Sequence, residues 1–569
     1  MVSEGEKIVE KKICRISGEE FFVTDKDVDF YQKVSPVLGW ERYDIPSPTI
    51  SPYERFIAKV AWRNERNLFH RKCDLTGEDI ISMYHPDLPH VVYGKDVWWT
   101  DQWTHTAFAR DPDWSRPFFD QFNDLFQTTP LLALSVLLLE NSDFNNCAGN
   151  LKNCYLCFDV DYLEECYYLG NSIHCEHCFD CDMIQQSQFC YDCFNCAESR
   201  NLIHCVDCRT SHDLIFCQGC TGCSDCLFCF NQYRKTHCIY NEQYSPDEYE
   251  KKKKEILKKE SYDDLVNFFR KKRYDHPHKY YHGFLNEGST GDYIFHTKNT
   301  TNSFWCVETE DCKNCFYLFQ SKNSQDHIIF GDNSNYVYNC LATGIGISTC
   351  AFNIMCWENV KNVYYSVLSN SSHDCFGCVS VRKGNHCLLN TPYSQDEYDR
   401  LTGKMIDHMR STGEWWEFFP MKYSPYGYNE TIGTEYAPLT QGEVEQRWWN
   451  WIEREVRTQE SGGYEPLFIT EYQESVVWQE MAKKNIDTCL SSFVVCRVSR
   501  RPFKIQPKEL AYLIENNLPI PTLHPEIRHK RRNQSYQWGV RFYSDTCGKC
   551  AADVITPHTW TGENGMVIY

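Results

Sequence analysis

The sequence predicts a mainly β chain with helical insertions, in which two Cys-rich parallel β-solenoid units are bracketed by two copies of a small α+β module. Three observations predict it. From Cys154 to Cys238 all seventeen cysteines fall on one track of a three-residue period. A Cys-rich unit recurs at an offset of 149, CLFCFNQYRKTHCIYNEQYSPDEY (226–249) against CFGCVSVRKGNHCLLNTPYSQDEY (375–398). The two ends also match each other: CRISGEEFFVTDKDVDFY (14–31) parallels CRVSRRPFKIQPKELAYL (496–513), and PSPTISPYER (46–55) parallels PIPTLHPEIR (519–528). CDLTGEDIIS (73–82) and HVVY (90–93) then parallel CGKCAADVIT (547–556) and MVIY (566–569).

The 569 residues are enough for several domains. A formal charge of −20 argues against a chain that wraps nucleic acid or adheres to anionic membranes through its overall field. The longest apolar run, PLLALSVLLLE (130–140), is far short of the roughly 18 residues a membrane helix needs and reads as core. The first residues, MVSEGEKIVEKK, are charged and lack an apolar stretch, so a cytoplasmic location is expected. There, thirty-three cysteines suggest thiols or metal ligands before disulfides.

Taken in order, residues 1–100 hold the N-terminal module and 101–143 a helical linker or solenoid cap. Residues 144–245 hold the first solenoid. A period of three fits neither a helix at 3.6 nor a strand at two. Stacked in rungs of twelve, the track gives four columns, the first of which (154, 166, 178, 190, 202, 214, 226, 238) reads C-C-C-C-L-L-C-C. The others mix Cys with Ser, Leu, Ile and Val, so the interior is narrow and takes small side chains. The densest run, CQGCTGCSDCLFC (217–229), places Cys217, Cys220, Cys223 and Cys226 in all four columns and starts the next rung with Cys229. About seven rungs would stand roughly 34 Å tall at the usual strand spacing of ~4.8 Å. Outward aromatics such as Phe158, Tyr167, Phe179, Tyr191 and Phe228 are expected to pack the second solenoid or a partner.

Both solenoids close on S-x-x-E, SPDE (245–248) and SQDE (394–397), the signature of a capped helix start. The first helix lies in a charged insertion, 246–285, whose KKKKEILKKE reads as a solvated face. Residues 286–393 form the second solenoid, with cysteines in three phases and hence rungs of varying length. Residues 394–485 make a helical, aromatic-rich strap. Within it GEWWEFFPMKYSPYGYNET (413–431) reads as buried against a solenoid or as a peptide- or glycan-binding groove, and 444–456 as an amphipathic helix carrying Trp448, Trp449, Trp451 and Ile452. The C-terminal module fills 486–569.

The motifs RNERNLFHRKCDLTG (63–77), CIYNEQYSPDEY, HMRSTGEWWEFFP (408–420) and SPYGYNET (424–431), with the terminal modules, resemble a family of large Cys-rich proteins of candidate-phyla bacteria. The middle resembles, in architecture only, the twelve-residue Cys-rich β-helix of beetle antifreeze proteins. The family resemblance implies zinc-ribbon-like ends and brings no activity with it. Mapped onto the N-terminal copy, the four ligand positions are Cys73, Thr76, Gly94 and Val97, a degenerate set with one thiol. The C-terminal copy keeps Cys547 and Cys550 and reaches Tyr569 where the second ligand pair is due; Cys489 and Cys496, or a second copy of the chain, could complete a zinc site.

Three readings of function follow. A non-catalytic scaffold or interaction protein treats cysteine as a small buried residue and takes proteins as partners. Metal binding or thiol storage would gather zinc or copper on ladder thiols such as Cys217, Cys220, Cys223, Cys226 and Cys229. A nucleic-acid-associated zinc-ribbon protein would use the basic stretch HPEIRHKRR (524–532). No catalytic residue is assigned: a redox enzyme needs an exposed low-pKa pair, and His174, His177, His204, His212 and His237 lie off the inward track as surface or corner histidines.

Overall fold

The structure is a computed structural model that describes residues 5–453, 486–536 and 540–557, with 466–467, 480 and 483. Strand makes up about 31% and helix about 24%, so the chain is mixed α/β rather than mainly β, with many parallel sheets and no closed barrel. The helical share is larger than expected because each duplicated part brings its own helices: Asp25–Val34, Pro52–Val60 and Phe118–Thr128 before the first ladder, Pro246–Lys259 and Tyr262–Lys272 after it, and Gln395–Thr412 after the second.

The first ladder pairs in parallel at a constant offset of twelve. Asn146 lies against Phe158, Phe158 against Gly170, Phe179 against Tyr191, His212 against Ser224 and Cys226 against Cys238. It reaches back to Val136–Glu140, which pairs with Asn146–Lys152, so part of the apolar run assigned to a linker is its first strand. The period of three has a backbone cause. Every third residue from Leu138 to Tyr240, Asn153, Leu156, Asp159 and onward, has φ near +50°. Each triplet therefore carries one inward residue, one bridging residue and one left-handed residue that turns the chain, and four triplets close a turn of twelve. Left-handed backbone costs an ordinary L-residue about 1–2 kcal/mol, least for Gly, Asn and Asp. Those types recur on this track at Asn153, Asp159, Asn171, Asp180, Asp192, Asn195, Asn201, Asp207, Asp213, Gly219, Gly222, Asp225 and Asn231.

The second ladder varies as expected. Gly283 pairs with Ile294, Phe304 with Phe316, Lys322 with Asn335 and Lys361 with His373, offsets of eleven, twelve, thirteen and twelve. Each ladder ends in a short antiparallel return, Ile239 against Glu242 and Leu388 against Thr391, before its helix. The Ser245–Glu248 capping box is formed; in the second copy Ser394 Oγ meets Glu397 at 3.0 Å.

The strap 413–431 is buried: Trp416 stacks on Tyr338 at 5.5 Å and meets Phe352 edge-on, and Phe419 packs on Phe122. Most of it therefore packs inward, while Gly413 and Trp415–Glu417 also border a cavity with residues 44–49. The helix expected over 444–456 is shorter, Gln441–Gln446; beyond it Trp448 takes φ 59 and stands 89% exposed, and 454–456 lie outside the described residues. The outward aromatics of the first ladder are covered from within the chain, Phe179 and Tyr191 by Tyr512 and Phe228 by Phe268.

The terminal modules dock crosswise with equivalent residues. From the first, Arg55 pairs with Asp326 of the second ladder at 2.8 Å, and Lys59 Nζ donates to Asn339 at 2.5 Å. From the second, Arg528 pairs with Asp180 of the first ladder, and Arg532 holds Asp182 and Asp192 at 2.8 and 3.1 Å. The matched motifs put Arg55 opposite Arg528 and, four residues on, Lys59 opposite Arg532. Likewise Asp27, bound to Lys313 at 2.9 Å, matches Glu509, bound to Tyr168 at 3.0 Å. Arg528, His529 and Arg532 are buried in this docking, which takes three cations of 524–532 away from any nucleic acid. His204, at a left-handed corner as expected of a surface or corner histidine, is a buried one, 2.7 Å from Asp192.

Removing one member of a buried ion pair leaves its partner unpaired, at about 3–5 kcal/mol. Arg532→Met leaves Asp182 and Asp192 with only histidine partners, and is expected to lose stability of that order in urea unfolding. His529 supplies a pH dependence. Burial and Arg66 push its imidazolium down, and Asp182 at 3.0 Å and Glu435 at 3.0 Å outweigh them, holding it at about 9. A pKa raised on folding gives stability that is whole below the ordinary 6.5 and is lost as pH rises through 9. Amides of the helix Pro525–Tyr536, corrected for intrinsic exchange, are therefore expected to lose protection between about pH 8 and about pH 10, and His529→Gln to flatten that change.

Candidate functional site: the thiol ladders and the terminal turns

Of the thirty-three cysteines, Cys550 alone is exposed and Cys147 is intermediate; all are free thiols. The inward thiols are tied to the backbone in both roles. As donors they reach carbonyls two and nine residues ahead or behind in the coil: Cys217 meets Ile215 O at 3.4 Å and Cys226 O at 3.5 Å, and Cys229 meets Cys238 O at 3.4 Å. Cys220, Cys223 and Cys226 do the same toward Gln218, Thr221 and Ser224. As acceptors they take the inward N–H one turn on. Cys193 N donates to Cys181 Sγ at 3.4 Å, Cys205 N to Cys193 Sγ at 3.5 Å, Cys229 N to Cys217 Sγ at 3.4 Å and Lys235 N to Cys223 Sγ at 3.5 Å.

Serine takes the same place where the columns carry it. Ser172, Ser187, Ser199 and Ser211 accept from the N–H of Ile184, Ser199, Ser211 and Cys223. In the second ladder Ser303, Ser366, Cys340 and Cys378 accept from Cys315, Cys378, Asn353 and Asn390. These N–H groups point into the coil toward the side chain one turn earlier, and a buried unpaired N–H costs about 1–3 kcal/mol. Cys and Ser are the small side chains that both fit the interior and carry an acceptor.

Burial pushes the thiols of Cys181, Cys196, Cys205, Cys306 and Cys340 well up, so they stay protonated near neutral pH. Where thiols share a hydrogen bond one falls as the other rises: Cys223 is held down to about 6 by Cys220, itself pushed up. Neither sulfur is open to a substrate, since both are at most 1% exposed.

The terminal modules repeat one turn four times. The N–H of Cys14, Cys73, Cys496 and Cys547 donates to the carbonyl of Glu19, Glu78, Arg501 and Ala552, and each cysteine's own carbonyl accepts from the residue four on. That residue, Gly18, Gly77, Arg500 or Ala551, is left-handed. Three of the four place a helix start beside the sulfur: Ser51 N reaches Cys14 at 3.3 Å and Gly94 N reaches Cys73 at 3.4 Å, each just before a helix, and His524, just before Pro525–Tyr536, donates to Cys496. Burial raises these three thiols, and hydrogen bonds from Ser17, Gly94 and His524 with their neighbours outweigh it, leaving each below the ordinary value.

The mapped positions Cys73, Thr76 and Gly94 thus do come together, around a single thiol. Cys14 and Cys496 occupy the same turn, which the sequence signalled through C-x-x-S at 14–17 and 496–499. Cys489 and Cys496 share a small core with Val494, Phe503 and Leu510, whereas Cys547 and Cys550 sit at the tip of the hairpin Tyr543–Thr556. Among the described residues no group of three or more His, Cys, Asp or Glu side chains is placed to hold a metal ion, so the donors as arranged do not fit a closed structural zinc site. Among them too, no helix is long and apolar enough to cross a membrane. No protein-family model matches the chain, and no curated protein matches it significantly.

The acceptor role is separable from size. Cys193→Ala removes the partner of the Cys205 N–H, while Cys193→Ser keeps one. Cys193→Ala is expected to cost about 1–3 kcal/mol in denaturant unfolding and Cys193→Ser less. A Ser variant weaker than the Ala variant would show that the column selects only for a small apolar group.

Proposed function

We propose that the chain is a non-catalytic structural and interaction scaffold built on two Cys-ladder β-solenoids, with its terminal modules as degenerate zinc-ribbon-like docking units. The observation that carries this reading is the use of the inward thiols as backbone partners: they donate to carbonyls, and Cys181, Cys193, Cys217 and Cys223 of the first ladder with Cys340 and Cys378 of the second also accept an N–H. Serine in the same columns supports it, because serine replaces cysteine as a hydrogen-bond partner and not as a soft metal ligand. Free thiols throughout fit a reducing, cytoplasmic compartment. Its partners are proteins, met on the outer faces of the coils and at exposed groups such as Trp40 and Trp448.

Elemental analysis of protein purified without chelator, joined to a thiol count, tests the proposal. Near-zero metal is expected, with 33 thiols titrating in denaturant and Cys550 alone reacting fast in the native protein. The Cys550→Ser variant is expected to lose that fast phase. Several zinc or copper ions per chain, released as the ladder thiols are modified, would overturn the scaffold in favour of metal binding.

A further inference from the structure

Where the end of the first ladder meets the start of the second, the chain leaves a cleft of about 380 Å³, a size that suits a small molecule. The first ladder forms one wall, the connector 273–282 a second and the opening strands of the second ladder a third. Aromatic faces line it. Tyr293 is stacked between His282 at 4.4 Å and Trp305 at 4.0 Å, and Phe194 and Phe295 stand beside it.

The charges in this cleft are unequally committed. Asp207 accepts from Tyr293 Oη at 3.1 Å and from Asn195, and Asp292 is held by the N–H and Nδ1 of His282 at 2.5 and 3.0 Å. The half-buried Arg209 lies over Phe295, 4.8 Å from the ring centroid, and its guanidinium makes no ion pair or hydrogen bond among the described residues. Lys279 stands exposed at the rim, also without an ion pair. A guanidinium braced on an aromatic face keeps its edge of N–H donors free, the geometry that takes an oxyanion through two parallel hydrogen bonds.

We propose that this cleft binds a small oxyanion, carboxylate or phosphate, carried on a planar ring. Arg209 grips the anion, Lys279 adds the second positive charge, and the half-buried Phe295 and the edge of Tyr293 pack the ring. The site requires no chemistry of the ladder thiols and stands apart from the scaffold reading.

Isothermal titration of the full chain with phenyl phosphate, benzoate and inorganic phosphate tests it. At least one ring anion is expected to bind saturably with Kd below about 1 mM, and inorganic phosphate at least about tenfold more weakly. Arg209→Gln is expected to weaken the ring anion at least about tenfold with unfolding little changed, since this side chain holds no ion pair and gives up only its contact with Phe295. Phenyl phosphate binding above benzoate assigns a phosphorylated ligand, and the reverse a carboxylate. No saturable binding of either ring anion, inorganic phosphate as tight as phenyl phosphate, or undiminished binding by Arg209→Gln would each overturn the proposal.

Discussion

The hydrogen bond from an inward backbone N–H to the side chain one turn earlier is the constraint on which the coils depend. In a coil this narrow, two of every three residues send their N–H along the ladder to a carbonyl, as Tyr155 does to Cys166 and Tyr168 to Tyr155. The third sends it into the interior. A Leu or Ile, as at Leu169, Ile184, Leu202 and Leu214, supplies no acceptor, and an interior made only of such residues would repeat that lack at every triplet. The thiol and hydroxyl acceptors of Cys181, Ser187, Cys193, Ser211 and Cys217 remove that loss, so the abundance of cysteine follows from hydrogen bonding as much as from size.

The same geometry sets what the outside looks like. Left-handed residues at every third position project their side chains at the turns, in columns that repeat each twelve residues. Asn201 reaches Asp213 at 2.9 Å, Asn299 reaches Asp311 at 2.9 Å, and His204, Phe216, Phe228 and Tyr240 stack at 4.9–5.3 Å. Like neighbours thus stabilise an otherwise costly backbone, and a helix can then close over the column, as Tyr262–Lys272 does with Phe268 and Phe269. The ladder and its covering helices are one unit because the turn that closes the coil also supplies the surface that the helix covers.

Much of the ladder was legible in the sequence, for a physical reason: a period of three fits neither a helix nor a strand, columns at twelve set the pairing offset, and the duplication keeps a serine at both helix starts, Ser245 with its capping box and Ser394 bonded to Glu397. The signal that was present and not read is the second track, where Asn, Asp, His and Gly mark the left-handed positions from Asn153 to Asn231. What no local pattern could give is which surface a module covers. The match of PSPTISPYER to PIPTLHPEIR sets Arg55 against Arg528, yet only the structure pairs the first with Asp326 and the second with Asp180. The helix misread at 444–456 failed for a related reason: three tryptophans gave it an apparent apolar face, while the chain leaves the helix after Gln446 and turns at Trp448.

Crosswise docking bears on what the terminal turns do. A zinc knuckle holds its turn through metal bonds; here Cys14, Cys73 and Cys496 hold it through N–H donors from Ser51, Gly94 and His524, each at a helix start. The turn therefore survives with one sulfur, and it still fixes the helix that follows. Those helices carry Arg55 and Lys59 on one side and Arg528 and Arg532 on the other, the cations that clamp the ladders. The turns at Cys14 and Cys496, with Ser17 and Ser499 three residues after the sulfur, thus serve the docking with a single thiol each.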